Sequence, residues 1–389
     1  MADPSGVVSD AAADALLAMW APSFPVAAEV EAAAAAFPSW PWLHEPGPVH
    51  RLIIAPGVIR LESADLEKRY FTEQRARRRA DAEAAYEAEH GKLPDATPTR
   101  RVLYWSDKSR SRMIRVFAEL DYTPLVIPGR IPGMVTLTLP GDWLTVAPDA
   151  RAWKKLRDKF AKRWARAWGE PPMGIWKTEF QRRGAPHWHF FTSVPVGARA
   201  GELRMLGQRY RPAVGDGKYF KEWLSEVWAD VVDHPDPEER ARHERAGTRF
   251  DDGLNFTDPK RVAVYFAKYS VSADKEYQNT PPPEWRGPGD GVGRFWGYWG
   301  LERATVVVRV TAQERLTMAR TLRRYARARG LRTDRRVPRG VTSNGEVKFR
   351  KARRRSAPRL ASCSGYLTAN DAPRLAKDLA RLVNRKGEL

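Results

Sequence analysis

The chain has a single cysteine, Cys363, in 389 residues. One thiol excludes a disulfide framework and a cysteine zinc cluster within the chain, and it fits a reducing compartment. No apolar run approaches the roughly 20 residues that span a bilayer. A basic stretch followed by an apolar one is also missing from the N-terminus. A cytoplasmic protein, associated with nucleoid or plasmid and with no membrane partner, is therefore expected. Residues 1–50 hold neither Lys nor Arg, only six acids, and their Ala- and Pro-rich composition reads as a loosely ordered segment. No G-x-x-x-x-G-K-[ST] occurs, so a P-loop helicase within this chain is excluded.

Positive charge is abundant beyond residue 50. The net charge is +20, and with all 67 Lys and Arg confined to the last 339 residues those carry +26. An excess of this size points to a polyanionic partner, nucleic acid first. It is densest over 319–360, where sixteen Lys and Arg face only Asp334 and Glu346. Such a run is either a solvated face or a phosphate-backbone contact, with Arg353, Arg354 and Arg355 its most concentrated part.

Hydrophobic periodicity alternates between two patterns. Residues 64–90 combine helix-forming residues with dense mixed charge, which predicts a solvated helix. In 105–120, Met113, Val116, Phe117 and Leu120 recur at helical spacing behind a Ser/Asp cap. MVTLTLP (134–140) alternates as a strand, with Val135, Leu137 and Leu139 on one face and Thr136 and Thr138 on the other. Trp153, Leu156, Phe160, Trp164 and Trp168 form a helical stripe that reads as core packing rather than a base-stacking surface. GIWKTEFQ (174–181), the turn RRGAP and PHWHFFTSVP predict an antiparallel hairpin. Further helices are expected at 218–231, at 258–269 behind Asp258 and Pro259, and from the Thr311/Glu314 capping box to Gly330. The class that follows is α+β, a central antiparallel sheet flanked by helices, with a helical N-terminal extension and a basic C-terminal one.

The stretch GAPHWHFF (184–191) carries the chemistry. Residues two apart in a strand share a face, so His187 and His189 project together while Trp188 and Phe190 project oppositely. Across the hairpin turn, Glu179 and Gln181 of the outgoing strand meet them. One carboxylate and two imidazoles form an N/N/O set suited to Mn²⁺ or Mg²⁺, with Gln181 a further candidate ligand. Paired strand histidines also occur as ordinary half-exposed residues. The cupin barrel uses such a pair, but it needs an acid soon after the second histidine, and FFTSVPVG has none. On the predicted helix 259–270, Tyr265 and Tyr269 share a face with Lys268 between them, as core aromatics or as phenols poised for phosphoryl chemistry. Arg182 and Arg183 at the hairpin turn are candidate phosphate contacts.

In this order, VTLTLP (135–140), His187-x-His189 and YFAKY (265–269) resemble the motifs of the HUH endonuclease superfamily. More narrowly they are similar to rolling-circle replication initiators of plasmids and phages in the two-tyrosine YxxxY form, and the flanking text is similar to initiators of actinobacterial plasmids. The motifs span roughly residues 130–280. The resemblance implies an RRM- or ferredoxin-like nuclease core over 126–300, between a helical region (51–125) and a basic α/β region (301–389). It implies Glu179, His187 and His189 as ligands of a divalent ion, and nicking of single-stranded or hairpin origin DNA by tyrosine attack. Tyr265 would initiate, Tyr269 would terminate, and Lys268 would balance charge. Host helicase and polymerase are implied partners. A two-tyrosine transposase is the enzymatic alternative. A basic partition or regulatory protein with a structural His-x-His pair is the non-enzymatic one.

Overall fold

The computed structural model describes residues 27–37, 49–64, 76–78, 80, 81, 84, 85, 87–89, 91, 105–127, 130–195, 199–202, 204–206, 209–211, 214–252, 277–285, 292–329, 332–341, 347–355, 365–369 and 372–387. Helix α1 (Ala27–Ala35) precedes β1 (Val49–Ala55) and β2 (Val58–Ala64). Then come α2 (Asp107–Glu119), β3 (Arg130–Thr138), α3 (Ala150–Trp168), β4 (Gly174–Phe180) and β5 (Pro186–Pro195). A short pair, β6 (Arg204–Leu206) and β7 (Arg209–Arg211), leads to α4 (Phe220–Val232), α5 (Pro237–Ala246), β8 (Thr248–Asp252) and β9 (Trp296–Trp299). The chain continues through β10 (Val306–Val310), α6 (Ala312–Arg329), β11 (Arg332–Val341), β12 (Val347–Arg355), β13 (Gly365–Thr368) and α7 (Ala372–Gly387).

These elements make an α+β protein whose described residues fall into two compact units, one within Asp95–Ala304 and one from Ala27–Pro94 with Thr305–Leu389. The first is built on a five-stranded antiparallel sheet in the order β8-β3-β5-β4-β9. Alternation along β3, β4 and β5 gives it one apolar and one polar-bearing face. Trp176, Trp188, Phe190, Val135 and Leu137 share the apolar face by register, and the helical stripe of α3 packs on it. Phe160 meets Trp188 edge-on at 5.9 Å between centroids, and Trp164 meets Phe190 at 6.1 Å. Trp223 of α4 closes the cluster against Trp164 and Trp168, at 5.8 and 5.3 Å. Both ends of α3 carry their expected stops: Asp149 accepts from the Ala152 amide at 2.6 Å, and Gly169 turns left-handed at φ 75°, a conformation that costs glycine little.

The second unit differs from the expected linear order of regions. Residues 51–64, expected within a helical region, belong to the hairpin β1–β2, and it pairs with β10 and β13 in a four-stranded antiparallel sheet, β10-β1-β2-β13. The reason is visible in RLIIAPGVIRLE, whose apolar runs on either side of Pro-Gly suit paired strands. Alone, a two-stranded hairpin is marginal. Leu52, Ile54, Ile59 and Leu61 are buried with Met318 and Leu322 of α6 and Leu375 and Leu379 of α7. Val30 and Ala33 of α1 join the same cluster, so part of the acidic N-terminal segment is ordered by packing. The basic C-terminal region therefore shares one core with residues 27–64. The capping box of α6 forms as expected, with Thr311 N donating to Glu314 at 2.7 Å and Glu314 N donating to the Thr311 hydroxyl at 3.2 Å. Most of the densest charge falls on the separate ribbon β11–β12, whose nineteen residues include ten Lys or Arg.

Trp164 is buried against Phe160, Phe190, Phe220 and Trp223. Trp164→Ala should cost about 3–5 kcal/mol in urea unfolding, the range for deleting a large buried ring. Lys162→Ala, on the exposed face of the same helix, should stay within about 0.5 kcal/mol.

Candidate functional site

The polar-bearing face of the first sheet holds the predicted site. Backbone pairing puts Glu179 opposite His187, Lys177 opposite His189, and Thr136 and Thr138 opposite His189 and His187 on the other side. Three adjacent strands thus deliver their polar side chains to one patch. The imidazoles stand 4.5 Å apart, centroid to centroid. His189 Nδ1 lies 3.0 Å from the Thr136 hydroxyl, and its Nε2 lies 3.3 Å from Glu179 Oε2. His187 Nδ1 lies 3.3 Å from the Gln181 amide, which is itself held by Arg183 Nε donating to its Oε1 at 2.8 Å. Gln181 is thereby an orienting neighbour of His187.

Lys177 is the residue that sequence reasoning passes over. It is 2% exposed, with its ammonium 2.5 Å from Glu179 Oε1 and 5.5 Å from the centre of the Trp105 ring. Alternation in GIWKTEFQ is the available signal, because it places a lysine on the same face as Glu179. Burial lowers the Lys177 pKa, and the facing carboxylate opposes that. For Glu179, burial raises the pKa, but Lys177 and His189 together outweigh it and hold the carboxyl at about 2. His187 is pushed down to about 3 by burial first and by His189 next, with Glu179 opposing. The patch therefore presents a fixed anion and a neutral imidazole at neutral pH.

The donor chemistry fits a divalent cation, since a metal ligand must be an ionised carboxylate or a neutral imidazole. Ring nitrogens tied at Nδ1 by neighbours are also how ligating histidines are held. Convergence is incomplete, because Glu179 is turned to Lys177 and His189. Among the described residues, no three His, Cys, Asp or Glu side chains make a ready-formed cation site.

The remaining predicted residues divide sharply. Arg183 is expected at phosphate, yet its guanidinium is spent on the chain: Nη2 donates to the Leu139 carbonyl at 2.5 Å, and Nη1 donates to those of Gly141 at 2.7 Å and Pro140. It clamps the end of β3 to the β4–β5 turn, and its donors are not open to DNA. Exposed Arg182 sits with its guanidinium 5.7 Å from the Tyr277 ring centre. Arg353, Arg354 and Arg355 close β12, paired with Asp334, Thr333 and Arg332 of β11. Tyr265, Lys268 and Tyr269, with the helix expected to carry them, lie outside the described residues.

The family model for the replication-associated protein ORF2 matches residues 132–274. That span takes in β3, β4, β5 and the YFAKY motif. No curated protein and no solved structure matches the chain. The family match supports a replication-associated role and, at that coarse level, contact with DNA. No helix among the described residues is long and apolar enough to cross a membrane.

The shifted groups set a pH dependence. His187 titrates near 6.5 when unfolded but only at about 3 when folded, so the unfolded chain takes up the proton first. Its contribution to stability is complete above pH 6.5 and is lost as pH falls toward 3. Glu179, lowered from 4.5 to about 2, contributes above 4.5 and loses that share toward 2. Urea unfolding of the metal-free protein should therefore show stability declining from pH 6.5 downward. His187→Asn should flatten the slope between 6.5 and 4.5, and an unchanged slope would show that His187 is not held neutral.

Proposed function

We propose that this protein is a rolling-circle replication initiator that nicks and rejoins single-stranded origin DNA. The observation that carries the reading is the Glu179–His187–His189 patch, set in strand register inside the segment matched by the replication-associated family. The +26 excess beyond residue 50 supports a DNA substrate, because Lys and Arg contacts to phosphate supply most sequence-independent affinity.

Glu179, His187 and His189 would hold Mn²⁺ or Mg²⁺, which supplies Lewis-acid polarisation of the scissile phosphate when bound. Tyr265 or Tyr269 contributes the nucleophile. The phenol oxygen bonds to phosphorus as the bond to the 3′ oxygen breaks, leaving a 5′-phosphotyrosine link and a 3′-OH that takes up the proton. The second tyrosine accepts the strand at termination, and Lys268 offsets charge building on the phenol or phosphate. Thr136 and Gln181 orient the imidazoles, while Arg183 fixes the turn that carries His187. The same chemistry would serve a two-tyrosine transposase, but a match to a replication-associated family favours the initiator.

The test is a covalent adduct. Single-stranded origin DNA incubated with Mn²⁺ should yield a denaturation-resistant complex, with phosphate on Tyr265 or Tyr269 by mass spectrometry. His187→Ala/His189→Ala should abolish it while changing DNA affinity less than about threefold, as should chelation, because most phosphate contacts lie elsewhere. An adduct formed at wild-type rate by that double variant would remove the metal assignment. Tyr265→Phe should lose most first-strand nicking, and Tyr269→Phe should nick without releasing circles. A Tyr265→Phe/Tyr269→Phe protein that still forms the adduct would overturn the tyrosine mechanism.

The basic ribbon calls for a separate measurement. Replacing residues 332–355 by a short Gly/Ser turn leaves α6 and α7 to complete the second core. The loss should weaken binding to all DNA sequences and flatten the dependence of log K on log salt. An unchanged slope would identify β11–β12 as a solvated ribbon.

A further inference from the structure

Strand β9 is an edge of the first sheet, and beside it lies a groove of about 730 Å³ that reaches the first turns of α2. Trp176, Trp296 and Tyr298 line it together with Arg112, Arg294 and Arg303. The three arginines are exposed and Trp296 and Tyr298 are partly exposed. No acid lines the groove among the described residues. Trp296 is steadied from behind, donating through Nε1 to the Ser109 hydroxyl at 3.1 Å and meeting Phe117 edge-on at 5.5 Å. Tyr298 has no such aromatic clamp among the described contacts.

Register ties this groove to the candidate site. Trp296 pairs with Lys177 and Tyr298 with Ile175, so both rings stand on the face that carries Glu179 and the histidines. Adjacent strands lie about 4.8 Å apart, which puts β9 roughly 10 Å from β5, about the length of one or two nucleotides. A sheet edge of aromatic faces bordered by cations matches one ligand class, a single nucleic acid strand whose bases stack while its phosphates meet arginine. A duplex offers no open base faces to such a groove.

We infer that the β9–α2 groove binds single-stranded DNA flanking the scissile phosphate, with Tyr298 as a stacking platform for a base. This deepens the initiator reading and rests on it for the identity of the strand. A peptide adding to the four-residue edge of β9 is the competing occupant, and it would leave DNA affinity untouched by changes in the groove.

The experiment measures binding of fluorescein-labelled dT12 by anisotropy, in EDTA so that no chemistry intervenes, beside a duplex containing the same strand. Tyr298→Ala should weaken dT12 binding about tenfold, in line with the loss of one stacked base, and Tyr298→Phe should restore it. Arg112→Ala/Arg294→Ala should weaken dT12 more than duplex. Wild-type protein irradiated with iodouracil-substituted dT12 should crosslink within residues 293–299, a readout independent of how the variants fold. Unchanged dT12 affinity in both sets of variants, equal losses for dT12 and duplex, or crosslinks confined to other segments would each overturn the groove assignment. The two readings fail separately. Tyr298-dependent binding without any phosphotyrosine adduct keeps the groove and removes the nickase, and an adduct with Tyr298-independent binding does the reverse.

Discussion

A buried ion pair between neighbours on one strand organises the candidate site. Lys177 and Glu179 are both nearly inaccessible, and a buried charge without a partner would cost several kcal/mol. Each is tolerable only because the other is there, with Trp105 under the ammonium and His189 beside the carboxylate. That mutual dependence demands one register between β4 and β5. A slip of one residue would send Lys177, Glu179, His187 and His189 into the aromatic core and bring Trp188 and Phe190 out. The pair therefore acts as a register lock, and the imidazole geometry follows from it.

The opposite face makes that lock rigid. Tryptophans and phenylalanines of α3, α4 and the sheet meet mostly edge-to-face, an arrangement worth some stabilisation beyond area alone. Glycine completes the fit at one position. Gly174, at φ 148°, brings its backbone so near Phe191 that an added Cβ would stand 2.0 Å from the Phe191 carbonyl oxygen. Site residues carried on strands backed by such a layer are held more precisely than residues on loops. Arg183 extends the same stiffness to the turn through three successive carbonyls.

Much of this is legible from period-two alternation. GIWKTEFQ and PHWHFFTSVP, joined by a short turn, dictate which residues meet, so the shared face of Glu179, His187 and His189 follows from counting. The aromatic stripe of α3 is likewise readable as core, because it recurs at 3.6 and its neighbours are charged. Other features escape such counting. Lys177 sits in an apolar strand, and only a three-dimensional partner explains its burial. Arg183 resembles a solvated turn charge until the carbonyls of Leu139, Pro140 and Gly141, over forty residues away, come within reach. The hairpin β1–β2 pairs with β10 across more than 240 residues, a long-range closure that no local pattern encodes. Helix α7 is a different case. Its buried Leu375, Leu379 and Val383 recur at four-residue spacing, a helical signal that the surrounding basic charge overshadows.

On the proposed reading, affinity and chemistry draw on different physics. Contacts between the ribbon β11–β12 and phosphate would be electrostatic, sequence-independent and weakened by salt. Stacking in the β9 groove needs an unpaired base, so it selects a single strand where the ribbon does not. At the polar-bearing face the carboxylate and the His187 imidazole are already in the protonation states that a cation requires, but Glu179 is committed to Lys177. Loading a cation there must therefore compete with an ammonium for one carboxylate. Since desolvating either charge alone is costly, the exchange is easiest when the incoming strand supplies phosphate to receive the displaced positive charge. Lys177 would then couple metal loading to DNA binding, so that the site becomes reactive as its substrate arrives.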